Sequence, residues 1–309
     1  MNILITGGAG YIGSELTAEL LAEGHKVTVY DSLMYDPTSL LSHAGDPNFH
    51  FIKGDVRDLS RLKREMKRND VIIPLAALVG YPLCQKDPKA AKSINHKVNR
   101  WIASNKHPDQ RVIYPCTNSG YGASTNGVVR TEESPLKPIS LYGKTKVAAE
   151  NEYRRAENCV TFRLATVYGP STRMRTDLLV NNFVLRAIKD KVLVLYECEF
   201  MRNYVHILDV CAAFIHTLNN WDTCKNKTYN VGNDALNMNK LQLARKIKEQ
   251  LPLEIILAEF TKDPDLRDYV VSSEKFYKTG FRCEFDLDEG IQQLIKVYSM
   301  IDAPWYGNY

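Results

Sequence analysis

Tyr142 and Lys146 are the residues of this sequence whose types and spacing point most directly to chemistry. Four residues apart on a predicted helix, they share one helix face, and Ser140 is a suitable N-cap. A phenol has a pKa of about 10, and a fixed ammonium beside it stabilises the phenolate, which can then take the proton of an alcohol. Thr117, at the end of a predicted strand, would hydrogen-bond the same oxygen. An exposed Tyr–Lys pair on a surface helix is the alternative.

A glycine-rich segment follows the first predicted strand and opens a helix, with the spacing Gly7-x-x-Gly10-x-x-Gly13. Gly7 permits a tight turn, Gly10 lets backbone amides approach a pyrophosphate, and Gly13 allows close packing of helix on strand. Asp31 ends the second predicted strand, where a carboxylate binds the adenosine ribose and repels a 2′-phosphate. The pattern therefore predicts NAD rather than NADP. The alternative is a structural turn with a surface aspartate.

These motifs need a scaffold, and the first half of the chain alternates short apolar strands with helical patterns. Strands are predicted at 2–6, 26–31, 49–53, 71–74, 111–115 and 160–164, and helices at 12–23, 59–67, 88–105 and 141–157. The fold class is α/β, a Rossmann-type doubly wound parallel sheet with a smaller C-terminal α/β substrate lobe. Residues 1–167 and about 203–232 are assigned to the first unit, and 168–202 and 233–309 to the second.

Composition excludes several classes of protein. The 309 residues are 44% hydrophobic and carry a net charge of +4, which argues against a disordered or a nucleic-acid-binding protein. The longest apolar run is too short to cross a membrane, and the start of the chain does not resemble a signal peptide. The seven cysteines form neither a disulfide framework nor a metal-site spacing, so we expect no metal and a cytoplasmic location.

Together these motifs resemble the extended short-chain dehydrogenase/reductases, and within them the NAD-dependent nucleotide-sugar epimerases and dehydratases. Further matches are Asp87-Pro88 with Asn95, Arg163-x-x-x-Val167-Tyr168-Gly169-Pro170, and Arg202-Asn203-Tyr204-Val205-His206. The resemblance covers nearly the whole chain and implies that Thr117, Tyr142 and Lys146 are catalytic. The cofactor-binding residues it implies are Gly7, Gly10, Tyr11, Ile12, Asp31, Asp55, Val56, Leu75, Ala76, Ala77, Asn95, Tyr142 and Lys146.

The same resemblance implies a second lobe that binds a nucleotide-diphosphate sugar, with Arg202 and Arg267 on the diphosphate. The candidate substrate-binding residues are Cys84, Asn118, Ser119, Thr166, Arg173, Arg175, Asn181, Arg202 and Arg267. It also implies a homodimer through the Tyr142 helix and helix 88–105. An apolar stripe on the latter is consistent with this pairing: Ile94, Val98, Trp101 and Ile102.

Three segments are similar to enzymes that oxidise C4 of a GDP-linked heptose: residues 75–80, 117–122 and 173–181. The related 4,6-dehydratases carry Asp-Glu directly after the catalytic threonine, but here the residues are Asn118 and Ser119. Because neither is a carboxylate, dehydration is not expected. Thr166 stands where the family has an asparagine. The resemblance therefore implies an NAD-dependent oxidoreductase that acts at C4 of a nucleotide-diphosphate sugar, most like a GDP-heptose 4-dehydrogenase. The alternative is a 4-epimerase, and a more distant one is a non-catalytic NAD-binding regulator.

Overall fold

Seven parallel strands form the central sheet of this computed structural model, which describes residues 1–123, 128–258, 268–301 and 307–308. The strands are β1 Asn2–Thr6, β2 Lys26–Asp31, β3 Phe49–Lys53, β4 Val71–Pro74, β5 Arg111–Thr117, β7 Cys159–Leu164 and β11 Thr228–Val231. Their order in the sheet is β3-β2-β1-β4-β5-β7-β11. The chain runs outward from β1 to β3 and then returns to place β4 on the other side of β1. This is the predicted doubly wound Rossmann-type sheet.

Helices cover both faces of the sheet. In the first part of the chain they are α1 Tyr11–Ala22, α2 Leu59–Met66, α3 Tyr81–Lys86, α4 Pro88–Lys92, α5 Asn99–Asn105 and α6 Leu141–Arg155. The helix predicted over 88–105 is interrupted, because a π-helical segment, Ser93–Val98, joins α4 to α5. Such segments often occur at functional sites. Short 3-10 turns lie at Leu41–His43 and Asn118–Tyr121.

Successive residues of a strand point into two different cores, one on each face of the sheet. Ile3 and Ile5 pack with α1 and with a later helix, α8 Ile207–Asn219, whereas Leu4 packs with the helices of the opposite face. Ile94, Val98 and Ile102 belong to this second core and are each at most 8% exposed. The apolar stripe of this helix, expected to pair with a second subunit, thus faces the interior of its own chain.

The second half adds smaller sheets. β10 Met201–His206 pairs with β8 Thr166–Tyr168 in parallel and with β12 Asn233–Asn239 in the antiparallel sense. Two parallel pairs join β9 Val192–Leu195 to β13 Glu254–Leu257 and β6 Val129–Arg130 to β14 Val270–Val271. The helices are α7 Leu179–Lys189, α8 Ile207–Asn219, α9 Trp221–Cys224, α10 Lys240–Lys248, α11 Glu274–Tyr277 and α12 Leu287–Met300.

The chain crosses between the two halves more than once. β11 belongs to the central sheet, and Val210 and Phe214 of α8 pack into the same core as α1. α7, α10 and α12 surround a separate core with β9 and β12. The division at residues 167, 203 and 232 stays a prediction. Among the described helices, none has both the length and the apolar character needed to cross a membrane.

Candidate functional site

A cavity of about 640 Å³ opens where β1, β4 and β5 end, beside the second half of the chain. In a doubly wound sheet the carboxyl ends of the strands at the reversal of strand order form a binding crevice. Twelve of the predicted cofactor residues line it: Gly7, Gly10, Tyr11, Ile12, Asp31, Asp55, Val56, Leu75, Ala76, Ala77, Tyr142 and Lys146.

The glycine loop forms a cradle that a side chain would fill. Gly7 has φ +75°, and a Cβ built on it would lie 2.5 Å from the backbone nitrogen of Ala76. A Cβ on Gly13 would lie 2.5 Å from the carbonyl oxygen of Gly7. The twelve-residue helix α1 begins after Gly10 without any side-chain cap, so its first N–H groups are available to an anion. These features suit the pyrophosphate of NAD.

Asp31 lies at the end of β2 on the cavity wall. Its carboxylate accepts hydrogen bonds from the backbone nitrogens of Ala9, at 3.0 Å, and Leu33, at 2.8 Å. Burial raises the pKa of Asp31, and the backbone hydrogen bonds oppose that change. One carboxylate therefore joins the glycine loop to the loop after β2. Its remaining acceptor capacity suits the hydroxyls of an adenosine ribose.

The three predicted catalytic residues line the same cavity. Thr117 ends β5, and its hydroxyl accepts a hydrogen bond from the backbone nitrogen of Ser119 at 3.1 Å. Tyr142 and Lys146 lie in the first turns of α6. The side chain of Ser140 caps this helix by accepting from the nitrogen of Gly143 at 3.1 Å. The predicted N-cap is thus present, and strand and helix place the three groups around one space.

Lys146 is 4% exposed. Its Nζ lies 4.3 Å from the centre of the Tyr114 ring, and burial lowers the pKa of Lys146 to about 8. The amine is therefore still mainly protonated at neutral pH. Further along α6, Glu150 forms a buried ion pair with Arg163, at 2.7 Å, and this pair ties the helix to β7.

Of the predicted substrate residues, Thr166, Arg173, Arg175 and Arg202 line the cavity. Arg175 forms an ion pair with Asp177 through two hydrogen bonds, of 3.1 and 2.5 Å. Arg202 lies on β10 and is 5% exposed. The three arginines bring guanidinium groups to this part of the wall. Arg267, the other predicted diphosphate contact, lies outside the described residues.

Two other predicted site residues, Asn95 and Cys84, lie behind the cavity wall. Asn95 holds the loop after β4, since its Oδ1 accepts from the nitrogen of Leu78 at 2.8 Å. The Cys84 thiol donates to the carbonyl of Leu78 at 3.2 Å, and burial raises the pKa of Cys84 to about 11. Direct roles for these two side chains in binding stay predictions.

Three further predicted residues are buried away from the cavity. Asn181 accepts a hydrogen bond from the nitrogen of Gly169 at 3.1 Å and donates to the carbonyl of Arg175 at 2.9 Å. Ser119 pairs with Thr117, and the buried amide of Asn118 has no hydrogen-bond partner among the described residues. Their contact with substrate is also untested.

The cavity wall includes residues that the sequence motifs did not indicate. Tyr35 is four residues after Asp31, a spacing that could have indicated it. Tyr196, Tyr269 and Asn308 come from the second half, and no local pattern marks them. They reach the cavity only because the chain returns to it.

The sequence is similar to those of known proteins. Residues 3–232 match the model of the NAD dependent epimerase/dehydratase family. The low-salt glycan biosynthesis protein Agl12 of Haloferax volcanii is 26% identical, over 96% of this chain and 98% of its own. A UDP-glucose 4-epimerase of Lacticaseibacillus casei is 28% identical, over 81% of this chain and 82% of its own.

The fold also matches solved structures. The dTDP-glucose 4,6-dehydratase DesIV of Streptomyces venezuelae, solved with NAD bound, superposes with a TM-score of 0.84 at 25% identity, covering 97% of each chain. The family match extends over most of the chain and includes the glycine loop, Asp31, Thr117, Tyr142 and Lys146. The chain belongs to the NAD-dependent epimerase/dehydratase family, and its cofactor is NAD.

Proposed function

We propose that this protein oxidises C4 of a nucleotide-diphosphate sugar, with Tyr142 as the base. The observation that carries the proposal is that Thr117, Tyr142 and Lys146 line one cavity with the glycine loop and Asp31. A proton acceptor, a hydroxyl that can hold the reacting oxygen and a dinucleotide cradle thus open onto the same space. Tyr142 is the proposed base because a phenolate there can accept the C4 hydroxyl proton.

The roles of the chain's own groups follow from their chemistry. Bound NAD⁺ supplies a hydride acceptor. The Lys146 ammonium favours the ionised form of the Tyr142 phenol by its charge. Thr117 is held by Ser119, whose nitrogen and hydroxyl both contact the threonine hydroxyl, so that hydroxyl can orient the sugar oxygen. The buried position of Lys146 strengthens these electrostatic effects by excluding water.

A 4,6-dehydratase is not proposed, although a dehydratase shares the fold. Elimination of water needs an acid and a base beside the oxidised carbon. The positions after Thr117 hold Asn118 and Ser119, and burial keeps the amide of Asn118 away from solvent. Neither side chain can exchange a proton as a carboxylate does.

For the substrate, we propose a GDP-linked heptose and a net 4-dehydrogenase. The support is that the three segments similar to heptose-oxidising enzymes contribute to one cavity wall, through Leu75–Gly80, Thr117, and residues 173–179 in part. The second candidate is a 4-epimerase, favoured by the relative that is named a UDP-glucose 4-epimerase. In that case the 4-ketone would rotate and take the hydride back on its other face.

Two measurements test these proposals. Mass analysis of the nucleotides released by denaturing the purified protein identifies NAD and any retained sugar nucleotide. Absorbance of NADH at 340 nm is then followed with GDP-heptose, UDP-glucose and dTDP-glucose. Net accumulation of NADH and a 4-ketone supports the dehydrogenase, and a C4 epimer without NADH supports the epimerase. Absence of any sugar-dependent signal favours a non-catalytic regulator.

The homodimer stays a prediction that light scattering at micromolar concentration tests.

A further inference from the structure

We propose that Arg173 is the cation of a phosphate-binding subsite that the C-terminal residues complete at the edge of the cavity. Arg173 is 3% exposed and lines the cavity together with Tyr35 and Asn308. The inference deepens the proposed function and rests on it, because it names a binding group for a phosphate of the cofactor or of the sugar nucleotide. The residues involved come from three distant parts of the chain.

The guanidinium of Arg173 is held by groups that orient it without neutralising it. Its Nη1 donates to the carbonyl of Met174 at 3.0 Å, and its Nη2 donates to the carbonyl of Gly307 at 3.2 Å. Its Cζ lies 4.7 Å from the centre of the Tyr35 ring. These contacts use two of the five N–H donors of an arginine, so donors remain for a ligand in the cavity.

Arg173 differs from two other buried arginines in its ion pairing. Arg175, two residues away, is paired with Asp177, and Arg163 is paired with Glu150. Arg173, by contrast, makes no ion pair with a carboxylate of residues 1–123, 128–258, 268–301 or 307–308. Burial and the charge of Arg175 lower the pKa of Arg173, and the carboxylates of Asp177 and Asp36, which form no ion pair with it, oppose that change. A buried cation without a partner is unfavourable, and an anionic ligand relieves that cost.

Phosphate is the anion that the cavity is built to receive. Arginine binds phosphate oxygens with two parallel N–H groups, and the Tyr35 ring lies beside the Arg173 guanidinium, with 4.7 Å between Cζ and the ring centre. Tyr35 follows Asp31 by four residues, on the cofactor side of the cavity, whereas Arg173 belongs to the segment after β8. The subsite therefore joins the cofactor side to the substrate side, and either phosphate source has to be tested.

The experiment uses full-length protein freed of nucleotide, and calorimetric titration with NAD and, separately, with GDP, UDP and dTDP. Arg173→Met removes the charge and keeps the length of the side chain. Arg186→Met is the matched control, since Arg186 is an exposed arginine of α7 away from the cavity. We expect Arg173→Met to weaken binding of NAD or of the preferred nucleoside diphosphate at least tenfold, and Arg186→Met to change both less than twofold.

The ligand that loses affinity identifies the source of the phosphate. A purely structural role for Arg173 predicts a lower melting temperature of the nucleotide-free variant, whereas a role in binding phosphate predicts no decrease. If Arg173→Met does not fold, Tyr35→Leu replaces it and should weaken the same ligand severalfold. Affinities for NAD and all three diphosphates within twofold of wild type would overturn the subsite. Failure of the wild type to bind any of the diphosphates would instead count against the proposed function, while the NAD titration still tests Arg173.

Discussion

Lys146 is held against Tyr114 by two contacts at once. The Lys146 Nζ lies 4.3 Å from the centre of the Tyr114 ring, and the Tyr114 hydroxyl donates to the backbone carbonyl of Lys146 at 3.3 Å. The ring thus fixes both the charged end and the backbone of the residue. Burial favours the neutral amine of Lys146, yet the nucleotide-free protein holds it as an ammonium at neutral pH. The buried charge therefore lowers the stability of the folded protein.

Lys146→Met should therefore raise the stability of the nucleotide-free protein while abolishing turnover. The pKa of Lys146 is lowered from 10.5 to about 8, so below pH 8 the folded state carries the full cost of the buried charge, on the order of 3 kcal/mol. This cost falls as the pH rises from 8 to 10.5. Urea unfolding should show the variant to be more stable at pH 7, with a smaller difference at pH 10. A variant less stable than wild type at pH 7 would contradict the prediction.

Tyr142→Phe should abolish turnover and leave folding and NAD affinity nearly unchanged, because only the proton acceptor is lost. General base catalysis contributes about 10²–10⁴-fold, so the rate of sugar-dependent NADH formation should fall at least a hundredfold. The matched control is Tyr81→Phe, which removes a hydroxyl from another tyrosine of the cavity wall. Activity above about one hundredth of wild type would exclude Tyr142 as the base.

Asp31→Ala should narrow the preference for NAD over NADP, because it removes the charge that repels a 2′-phosphate. Absolute NAD affinity should fall as well, since Asp31 also holds the nitrogens of Ala9 and Leu33. The quantity to measure is the ratio of the dissociation constants of NADPH and NADH by fluorescence titration. An unchanged ratio would mean that another group selects the cofactor.

Arg202→Leu should raise the KM for the nucleotide sugar about tenfold or more, because a charge-assisted hydrogen bond contributes ~1.5–3 kcal/mol. NAD affinity should hardly change, since we expect the glycine loop rather than Arg202 to bind the NAD pyrophosphate. Steady-state kinetics and NAD titration of the same preparation separate the two effects. Weaker NAD binding with an unaltered KM for the sugar nucleotide would place Arg202 on the cofactor.

Cys84→Ala should retain turnover within about threefold of wild type, since catalytic acid–base groups contribute far more. The thiol donates to the carbonyl of Leu78, it does not line the cavity, and burial raises its pKa to about 11. A thiol in this state does not act as a base at neutral pH. The check is kcat together with incorporation of solvent deuterium at C3 and C5. C3 and C5 adjoin the C4 ketone, so a base at Cys84 would exchange their protons with solvent. Deuterium uptake that the wild type shows and the variant loses would therefore indicate that Cys84 is such a base.

The sequence by itself determined the features that lie within a single strand, turn or helix. The tight turn at Gly7, the carboxylate that ends β2 at Asp31 and the helix face shared by Tyr142 and Lys146 each follow from spacing within one strand or helix. A doubly wound sheet then brings them together, because the carboxyl ends of its strands meet at one edge. For this reason most of the predicted cofactor residues line the cavity.

Tertiary structure alone decided the features that depend on contacts between distant parts of the chain. The helical spacing of Ile94, Val98 and Ile102 gives an apolar face, but only packing shows that this face belongs to the core of the same chain. The contacts of Arg173 with Tyr35 and Gly307 join residues that are more than a hundred positions apart. Periodicity describes one element at a time, whereas burial, charge pairing and the position of Cys84 behind the wall depend on which distant elements meet.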